Sequence, residues 1–262
     1  MSEERTYWEG RLSEAYSLDG VGWQGLGEPF NRWMYRVRRR LFLSRMRPLL
    51  EGRAPDVLDV GSGTGFYVER WLELGAGSVT GSDLTETAVG RLAERFPRLE
   101  FQRLDLSEPG ARVDGRDFDA ISAMDVLFHI TDDKKYERAI ANLAAMLRPG
   151  GLLVLTENFV HGEPLRSPRQ VSRTLAAIEG VVRAQGLEVV ERRPVFVLMN
   201  GPADSDSRLL RSTWGLTTRA LTRRPALGNV IGPLLYPVEL ALASTVREGP
   251  STEMMVLRRS RT

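Results

Sequence analysis

The sequence contains no cysteine and only two histidines and two lysines among its 262 residues. The absence of cysteine excludes disulfides, thiolate zinc sites, iron–sulfur clusters and cysteine nucleophiles. Long uncharged apolar runs are also missing: the closest approach to a membrane span, 229–246, is interrupted by Pro233, Pro237 and Glu239. The first ten residues lack the basic and apolar regions of a secretory signal. We therefore expect a soluble, cytoplasmic protein with no membrane partner.

Charge of one sign is not in excess either. The chain has 36 basic and 34 acidic residues, and the net charge is +2. Apart from Lys134 and Lys135, all of the basic residues are arginines. Since no nucleic-acid-binding module is visible, no nucleic-acid partner is expected. The chain is 42% hydrophobic, which supports a sizeable core and excludes wholesale disorder.

From residue 56 onward, short apolar runs alternate with amphipathic segments. The runs predict strands at 56–60, 78–81, 99–103, 118–122 and 152–156. The intervening segments predict helices at 65–74, 86–96 and 132–147. This alternation predicts an α/β fold, with a mostly parallel sheet covered by helices on both faces.

The segments on either side of this core are mainly helical. Before the first strand, the apolar spacing from Phe30 to Leu41 predicts an amphipathic helix with Asn31 as its N-cap and Pro48 or Gly52 at its end. After the fifth strand we expect a helix at 168–184, a strand at 187–197, helices at 205–222 and 228–246 and a strand at 254–257. We divide the chain into an N-terminal helical lid, 1–52, and a Rossmann-like domain, 53–262. A helical insertion, 205–246, precedes the last strand.

The strongest local motif is Asp-Val-Gly-Ser-Gly-Thr-Gly at 59–65, between a strand and a helix. Glycines at such a turn let a ligand lie against the backbone. The spacing G-x-G-x-G departs from the dinucleotide fingerprint and no Lys-Ser/Thr follows. The loop therefore fits a ligand with a nucleoside and without a pyrophosphate, and it disfavours a nicotinamide oxidoreductase.

Two further acidic residues follow strands of the predicted sheet. Asp83 ends the second strand, where a carboxylate beside the glycine loop can accept both hydroxyls of a ribose. Asp105 follows the third strand and can accept from an exocyclic adenine amine. The alternative for Asp105 is a solvated turn residue.

These features together resemble the class I S-adenosylmethionine-dependent methyltransferases. The resemblance rests on D-x-G-x-G-x-G, the two acidic positions, Phe-Asp-Ala-Ile at 118–121 and Leu-Arg-Pro-Gly-Gly-Leu-Leu at 147–153. It implies a doubly wound, seven-stranded, Rossmann-like sheet and S-adenosylmethionine as cofactor. In the family, Asp59 holds the loop near the methionine amino group, and Asp125 borders the methyl-transfer site. The cofactor-binding residues implied are Asp59, Gly61, Ser62, Gly63, Thr64, Gly65, Asp83, Leu84, Asp105, Leu106 and Asp125.

Two histidines are the candidate bases for a hydroxyl or protonated amine acceptor. His129 lies shortly after the fourth strand and His161 after the fifth, and an unperturbed pKa near 6.5 suits either to this role. The alternative for His129 is a packing or capping role. Asp132 and Asp133 could suggest a metal, but a helix N-cap is expected there, and no metal site is predicted.

The acceptor pocket is expected from the lid and from the insertion. Candidate substrate-binding residues are Trp23, Trp33, Tyr35, Arg36, Trp214 and Tyr236. The seven arginines of the helix at 31–50 form either a clamp for an acidic substrate or carrier protein, or a solvated face. The insertion could instead supply a dimer interface, so an oligomer is possible.

The leading hypothesis is a methyltransferase acting on a small molecule, with O-methylation in bacterial secondary-metabolite biosynthesis. One alternative is an N- or C-methyltransferase acting on a sugar or carrier-bound substrate. Another is a catalytically silent protein that binds the cofactor. A nucleic-acid amino methyltransferase is disfavoured, because strand four leads into Ala-Met-Asp-Val at 123–126 and not into an Asn/Asp-Pro-Pro-aromatic motif.

Overall fold

A seven-stranded sheet forms the centre of the computed structural model, which describes residues 3–113 and 115–261. The strands along the chain are β1 (Asp56–Val60), β2 (Ser78–Asp83), β3 (Glu100–Arg103), β4 (Phe118–Ala123), β5 (Leu147–Glu157), β6 (Leu165–Ser167), β7 (Gln170–Ser172), β8 (Leu187–Pro194) and β9 (Glu253–Arg259). The main sheet has the order β3-β2-β1-β4-β5-β9-β8, and β6 and β7 form a separate hairpin. Neighbours from β3 to β5 are parallel, whereas β9 runs antiparallel to β5 and β8. The predicted fold is confirmed.

Strand order reverses between β1 and β4, and this reversal positions the site. β1 pairs with β2 on one side and with β4 on the other, and Val60 is in register with Ala123. Both strands therefore end at the same level of the sheet. In open α/β sheets, ligands bind in the crevice outside the carboxyl ends of the strands at such a switch point.

Helices cover both faces of the sheet. They are α1 (Glu3–Glu14), α2 (Leu18–Val21), α3 (Glu28–Leu50), α4 (Phe66–Glu73), α5 (Glu86–Arg95), α6 (Asp133–Ala145), α7 (Leu175–Ala184), α8 (Arg208–Arg223) and α9 (Gly228–Thr245). One core contains buried side chains of α3, α4 and α9, among them Phe30 and Trp71. The core on the opposite face contains those of α6 and α7, among them Tyr136 and Ile178.

The first long helix, α3, begins earlier than the sequence suggested. Gly27 precedes it with φ 76°, and Pro29 lies in the first turn, where its missing N–H group leaves no bond unmade. Asn31 lies inside the helix and donates through Nδ2 to the Trp23 carbonyl at 2.9 Å. The prediction that Asn31 is the N-cap is therefore wrong. The helix also continues through Pro48, and ends at Leu50.

The predicted helix at 168–184 is wrong in its first part. The chain first forms the β6–β7 hairpin, because Pro168 falls in its turn and the Ser167 hydroxyl accepts from the Gln170 amide at 3.1 Å. The helix begins only after Thr174, whose hydroxyl accepts from the Ala177 amide at 3.2 Å. An N-cap therefore sets the start of α7.

Two helices, α8 and α9, lie between β8 and β9, as the fold prediction required. The helix α9 runs through both Pro233 and Pro237, so these prolines do not interrupt the apolar run. By length and composition, the segment Pro225–Thr245 could cross a membrane, and 22% of its most apolar stretch is buried. The proposed limits of the lid, the domain and the insertion stay predictions, and residues 1 and 262 lie outside the described part of the chain.

Candidate functional site

A cavity opens at the carboxyl ends of the central strands, beneath the N-terminal helices. Its walls come from the loop after β1, the ends of β2 and β3, the segment after β4, and helices α1 and α3. Many of the predicted site residues line it: Gly61, Ser62, Gly63, Thr64, Asp83, Leu84, Asp105, Leu106, Asp125, His129 and Tyr35. The fold thus brings the separate sequence motifs to one place.

The glycine loop forms the floor of this cavity. Gly61 and Gly65 have φ of 66° and 82°, values that side chains strongly disfavour. A Cβ on Gly61 would lie 2.3 Å from Val126 Cγ2, and one on Gly65 would lie 2.7 Å from the Phe96 ring. Both positions therefore require glycine, and the exposed backbone lets a ligand approach closely.

Asp83 connects the end of β2 to this loop. One carboxylate oxygen accepts from the Thr85 amide at 3.0 Å and from the Thr85 hydroxyl at 2.8 Å. The other accepts from the Gly63 amide at 2.9 Å. Burial raises the pKa of Asp83, and the hydrogen bonds from Thr85 and Gly63 oppose that rise. The carboxylate is thus a fixed acceptor at the wall of the cavity.

Asp105 is held in a similar way at the end of β3. Its Oδ1 accepts from the Ser107 amide at 2.9 Å and from the Ser107 hydroxyl at 2.7 Å. Leu84 and Leu106 lie on the same wall. An apolar slot edged by a carboxylate suits a flat heterocycle with an amine at its rim.

Asp59 lies behind the glycine loop and does not line the cavity. The Ser122 hydroxyl donates to its carboxylate at 2.5 Å and itself accepts from the Trp71 indole at 2.8 Å. Burial raises the pKa of Asp59 to about 7, against the opposing hydrogen bonds from Ser122 and Ser62. The group is therefore a buried acid that a nearby cation would ionise.

Asp125 follows β4 with a left-handed backbone, φ 60°. Its amide donates to the Thr156 hydroxyl at 2.7 Å, which donates back to Oδ1 at 2.9 Å. Arg38 Nη1 lies 2.6 Å from Asp125 Oδ2, and the arginine side chain is only 11% exposed. Burial would lower the pKa of Arg38, but the Asp125 carboxylate and nearby tyrosines outweigh it and leave that pKa raised.

The sequence alone does not distinguish Arg38 from the other six arginines of the helix. Its helical phase was the available signal. Arg38 comes one turn after Met34 and directly after Val37, both buried, so it belongs to the inward face of α3. Arg36, which was singled out, is exposed and stacks on Trp33 instead, with 4.1 Å between its guanidinium carbon and the ring centre.

His129 lines the cavity, and its tautomer is fixed. Its Nδ1 lies 2.9 Å from the carbonyl oxygen of Arg169, in the hairpin after β5. Because a carbonyl can only accept, Nδ1 carries the proton and Nε2 keeps its lone pair. The ring packs edge-on against Trp8 at 5.0 Å. Burial lowers the pKa of His129, opposed by the Arg169 carbonyl and Asp125, so the neutral form dominates at pH 7.

His161 lies elsewhere. Its Nδ1 is 2.6 Å from Asp204 Oδ2, its Nε2 is 3.5 Å from Glu248, and half of its side chain is exposed. The hydrogen bond that His161 donates to the Asp204 carboxylate raises the pKa of His161. It does not line the cavity, so the structure separates the two candidate bases.

The N-terminal helices cover the cavity. Glu4, Trp8 and Leu12 of α1 line it from above, and the Tyr16 hydroxyl donates to the Gly63 carbonyl at 2.9 Å. The Glu9 carboxylate accepts from the first amides of α5. The lid is thus attached to the glycine loop and to the helix that follows β2.

The remaining predicted acceptor residues form two aromatic pairs away from the cavity lining. Trp33 and Tyr236 are 5.5 Å apart between α3 and α9. Trp23 and Trp214 are 5.6 Å apart between the lid and α8. Tyr35 differs from them, since it lies on the cavity wall and its ring is 4.8 Å from that of Phe66.

Among the described residues, no group of three or more histidine, aspartate or glutamate side chains is placed to hold a metal ion. Asp132 caps α6, its carboxylate accepting from the Lys135 amide at 2.9 Å. Asp133 pairs with Arg166 at 2.5 Å and with Arg173 at 2.9 Å. The two acids therefore have structural partners.

Comparison with known proteins finds methyltransferases. A family model described as a methyltransferase domain matches residues 57–151. A ubiquinone biosynthesis O-methyltransferase of Albidiferax ferrireducens is 36% identical over 102 residues, covering 37% of this chain and 38% of the relative. A tRNA U34 carboxymethyltransferase of Idiomarina loihiensis is 33% identical over 119 residues, covering 44% and 35% respectively. The chain thus spans less than two fifths of the length of these curated relatives.

Solved structures extend the likeness to the whole fold. Magnesium protoporphyrin IX methyltransferase (ChlM) from Synechocystis PCC 6803, with bound SAM, superposes with a TM-score of 0.60 at 15% identity, covering 99% of each chain. The N-methyltransferase NodS from Bradyrhizobium japonicum WM9 gives 0.57 at 17% identity, covering 98% of this chain and 99% of the other. At these identities the likeness is one of fold. The chain thus contains a methyltransferase domain at residues 57–151, and its fold agrees with the resemblance to the class I S-adenosylmethionine-dependent methyltransferases that the sequence motifs indicate.

Proposed function

We propose that this protein transfers the methyl group of S-adenosylmethionine to a hydroxyl oxygen of a small molecule, with His129 as the general base. The observation that carries the proposal is the fixed tautomer of His129. Its Nε2 lone pair is available at a cavity that also contains the glycine loop, Asp83 and Asp105. A base with that geometry serves an acceptor that must lose a proton.

The residues present fit the cofactor. Its donors are two ribose hydroxyls, an adenine amine and an ammonium group, and the cavity offers acceptors for them. Asp83 would hold the ribose, Asp105 the adenine amine, and the loop from Gly61 to Gly65 the methionine and ribose parts. The buried Asp59 lies behind the loop, where it would ionise in the field of the ammonium.

The lid supports a small acceptor. Trp8, Leu12 and Val21 line the cavity on its outer side, and Tyr16 is hydrogen-bonded to the loop. A covered cavity excludes water and holds a compact acceptor in line with the methyl group. A long polymer would need an open groove at this place.

The residues of this chain then have two tasks: they position the acceptor and the cofactor, and they accept one proton. When bound, the cofactor supplies a methyl group on a sulfonium, which leaves as a neutral thioether. The acceptor hydroxyl gives its proton to His129 Nε2 as its oxygen takes the methyl group. The Arg169 carbonyl stabilises the imidazolium through Nδ1–H.

Other parts of the hypothesis remain proposals of the same kind. They are a role in bacterial secondary-metabolite biosynthesis, a carrier-bound acceptor, a cytoplasmic location and an oligomeric assembly. A nitrogen or carbon acceptor would change the need for a base, so the test below distinguishes it from oxygen.

The test begins with calorimetric binding of S-adenosylmethionine and S-adenosylhomocysteine to the purified, folded protein. Micromolar binding is expected for both. Release of S-adenosylhomocysteine is then measured with panels of phenols, sugars and matched amines, using wild type, His129→Ala and His129→Gln. Turnover of hydroxyl acceptors should fall by about 10²-fold or more in both variants, with cofactor affinity retained.

Three results would contradict the proposal. If the folded protein binds neither ligand, S-adenosylmethionine is not its cofactor. Binding without turnover of any acceptor class supports the silent partner protein. Turnover of amines alone, at a rate His129→Ala retains, identifies a nitrogen acceptor.

A further inference from the structure

An unpartnered apolar stripe runs along α9 on the outside of the molecule. Val230, Leu234 and Val238 follow one another at helical spacing, and their side chains are 56%, 68% and 47% exposed. Pro237 and Ala241 extend the same exposed side. Contiguous exposed apolar patches of more than roughly a few hundred Å² often mark an interaction site on a soluble protein.

The opposite side of α9 explains why this stripe faces outward. The Gly228 and Gly232 backbone packs directly on α3, where an added Cβ would lie 2.5 Å from the Phe30 amide and 2.3 Å from the Trp33 ring. Glu239 is fully buried and its carboxylate accepts from the backbone amides of 197–199. The inward side of α9 is therefore committed to the protein.

Arginines border the stripe and no exposed acid lies within it. Arg36 stacks on Trp33, which contacts Tyr236 of α9, so this guanidinium lies beside α9. Arg40 follows one turn later on the exposed side of α3, where it shares a shallow pocket with Arg39, Arg47 and Glu73. From 207 to 246, covering α8 and α9, the sole acid in the sequence is the buried Glu239, whereas α8 carries arginines at both ends. We call the exposed residues Val230, Leu234, Val238, Arg36 and Arg40 the α3–α9 face.

We propose that the α3–α9 face attaches the protein to an anionic lipid surface, with α9 lying in the interface. An exposed apolar stripe next to arginine and aromatic side chains of a neighbouring helix suits a membrane interface, where aliphatic side chains enter the acyl region and guanidinium groups stay among the headgroups. The flanking guanidinium groups are complementary to phosphate headgroups.

The structure argues that α9 lies on the membrane and does not span it. Spanning would separate α9 from α3 and expose the Glu239 carboxylate to hydrocarbon, at a large free-energy penalty. Pro233 and Pro237 also leave two helix carbonyls without their usual amide donors, which water at a headgroup region can satisfy. A second copy of this chain is a poor occupant, because a twofold contact would place the arginines of both copies against each other.

This inference revises the expectation of no membrane partner. That expectation rested on Pro233, Pro237 and Glu239 as interruptions, yet the helix passes through both prolines and the glutamate faces inward. It does not depend on the proposed methyl transfer, because lipid binding is measured without cofactor or acceptor.

The experiment is co-sedimentation of the whole protein with vesicles of phosphatidylcholine alone or mixed with phosphatidylglycerol. We expect binding to the anionic vesicles, weakened by high salt, and little binding to neutral ones. Leu234→Ser/Val238→Ser should weaken binding at least tenfold. Arg36→Glu/Arg40→Glu should weaken it by roughly fivefold or more for each arginine.

Matched controls change equally exposed residues on other surfaces. Leu165→Ser removes a 49% exposed leucine from the β6–β7 hairpin. Lys134→Glu reverses an exposed charge on α6, on the opposite face of the sheet. Both should bind like wild type, and circular dichroism checks that every variant is folded.

Three outcomes would overturn the proposal. One is no sedimentation with anionic vesicles. A second is binding that the Leu234→Ser/Val238→Ser variant retains in full. A third is a stable dimer in light scattering that this same variant dissociates, which would make the face a contact between copies.

Discussion

Arg38 and Asp125 form an ion pair at the wall of the cavity, with 2.6 Å between Nη1 and Oδ2. The arginine comes from α3 and the aspartate from the segment after β4. Asp125 also exchanges two hydrogen bonds with Thr156 near the end of β5. One carboxylate therefore connects the N-terminal helix to two central strands, and its left-handed backbone is held by these partners.

Arg38→Met should destabilise the protein by about 2–3 kcal/mol, because it leaves Asp125 without its buried partner. Asp125 keeps some exposure, so the loss is at the low end for such pairs. Urea unfolding monitored by fluorescence measures the change. Arg36→Met is the control: that guanidinium is exposed and stacks on Trp33, so its loss should cost less than about 1 kcal/mol. Equal losses of unfolding free energy in the two variants would show that the ion pair with Asp125 does not stabilise the protein.

Asp59→Asn should stabilise the ligand-free protein at pH 8. Burial raises the folded pKa of Asp59 to about 7, above its ordinary value of 3.8. As pH rises from about 4 to 7 the unfolded chain ionises this group and the folded chain does not, so stability is lost across that window. Asparagine avoids the loss and can still accept from Ser122.

The size of this gain should depend on pH. Wild type and Asp59→Asn should unfold at similar urea concentrations near pH 4 and differ by about 1 kcal/mol or more at pH 8. Calorimetry should show weaker cofactor binding by the same variant, because a neutral amide behind the loop supplies no negative charge to stabilise the ammonium. A pH-independent difference in stability would contradict the raised pKa.

The residues proposed to bind the cofactor could be located from the sequence, because they lie at the ends of strands. The glycine loop, Asp83 and Asp105 each follow a strand, and parallel strands bring their carboxyl ends to one edge. A local motif therefore predicts both the backbone conformation of these residues and their location at the edge of the sheet. His129 follows β4 and reaches the cavity for the same reason.

The contacts between distant elements were not predictable in this way. Arg36 and Arg38 are residues of the same type on the same helix. Only the packing of α3 decides which of them contacts Asp125. Pro233 and Pro237 read as helix breakers, but packing against α3 keeps α9 continuous. Tertiary contacts override local preference at these positions.

Asp83→Ala should weaken binding of S-adenosylhomocysteine at least tenfold, a loss of roughly 1.4 kcal/mol. The change removes the proposed ribose acceptor and also the acceptor of the Gly63 amide. Isothermal calorimetry gives the affinity. Asp206→Ala, which removes a fully exposed carboxylate before α8, should leave it unchanged. Unaltered affinity in folded Asp83→Ala would refute the ribose role.

The pH profile of turnover should report the environment of His129. The base acts in its neutral form, so activity falls as pH falls through its pKa, which burial holds below 6.5. Wild type should therefore keep more than half of its kcat at pH 6.5. Trp8→Ala exposes the His129 ring to water. The pH at which kcat is half-maximal should then rise toward about 6.5. Identical profiles for the two proteins would mean that another group limits turnover.

Glu9→Gln should loosen the lid. The Glu9 carboxylate accepts from the Glu86 amide at 2.9 Å and the Thr87 amide at 2.8 Å, at the positive end of α5. Although burial alone would raise the pKa of Glu9, the bonds from Thr87 and Glu86 lower it, so docking persists above its ordinary value of 4.5 and weakens as pH falls below that. A neutral amide accepts less strongly, and release of S-adenosylhomocysteine in stopped flow should be several-fold faster, for a loss of about 1 kcal/mol. Glu3→Gln, at an exposed position of the same helix, should release the ligand at the wild-type rate, because the carboxylate that accepts from the α5 amides is that of Glu9.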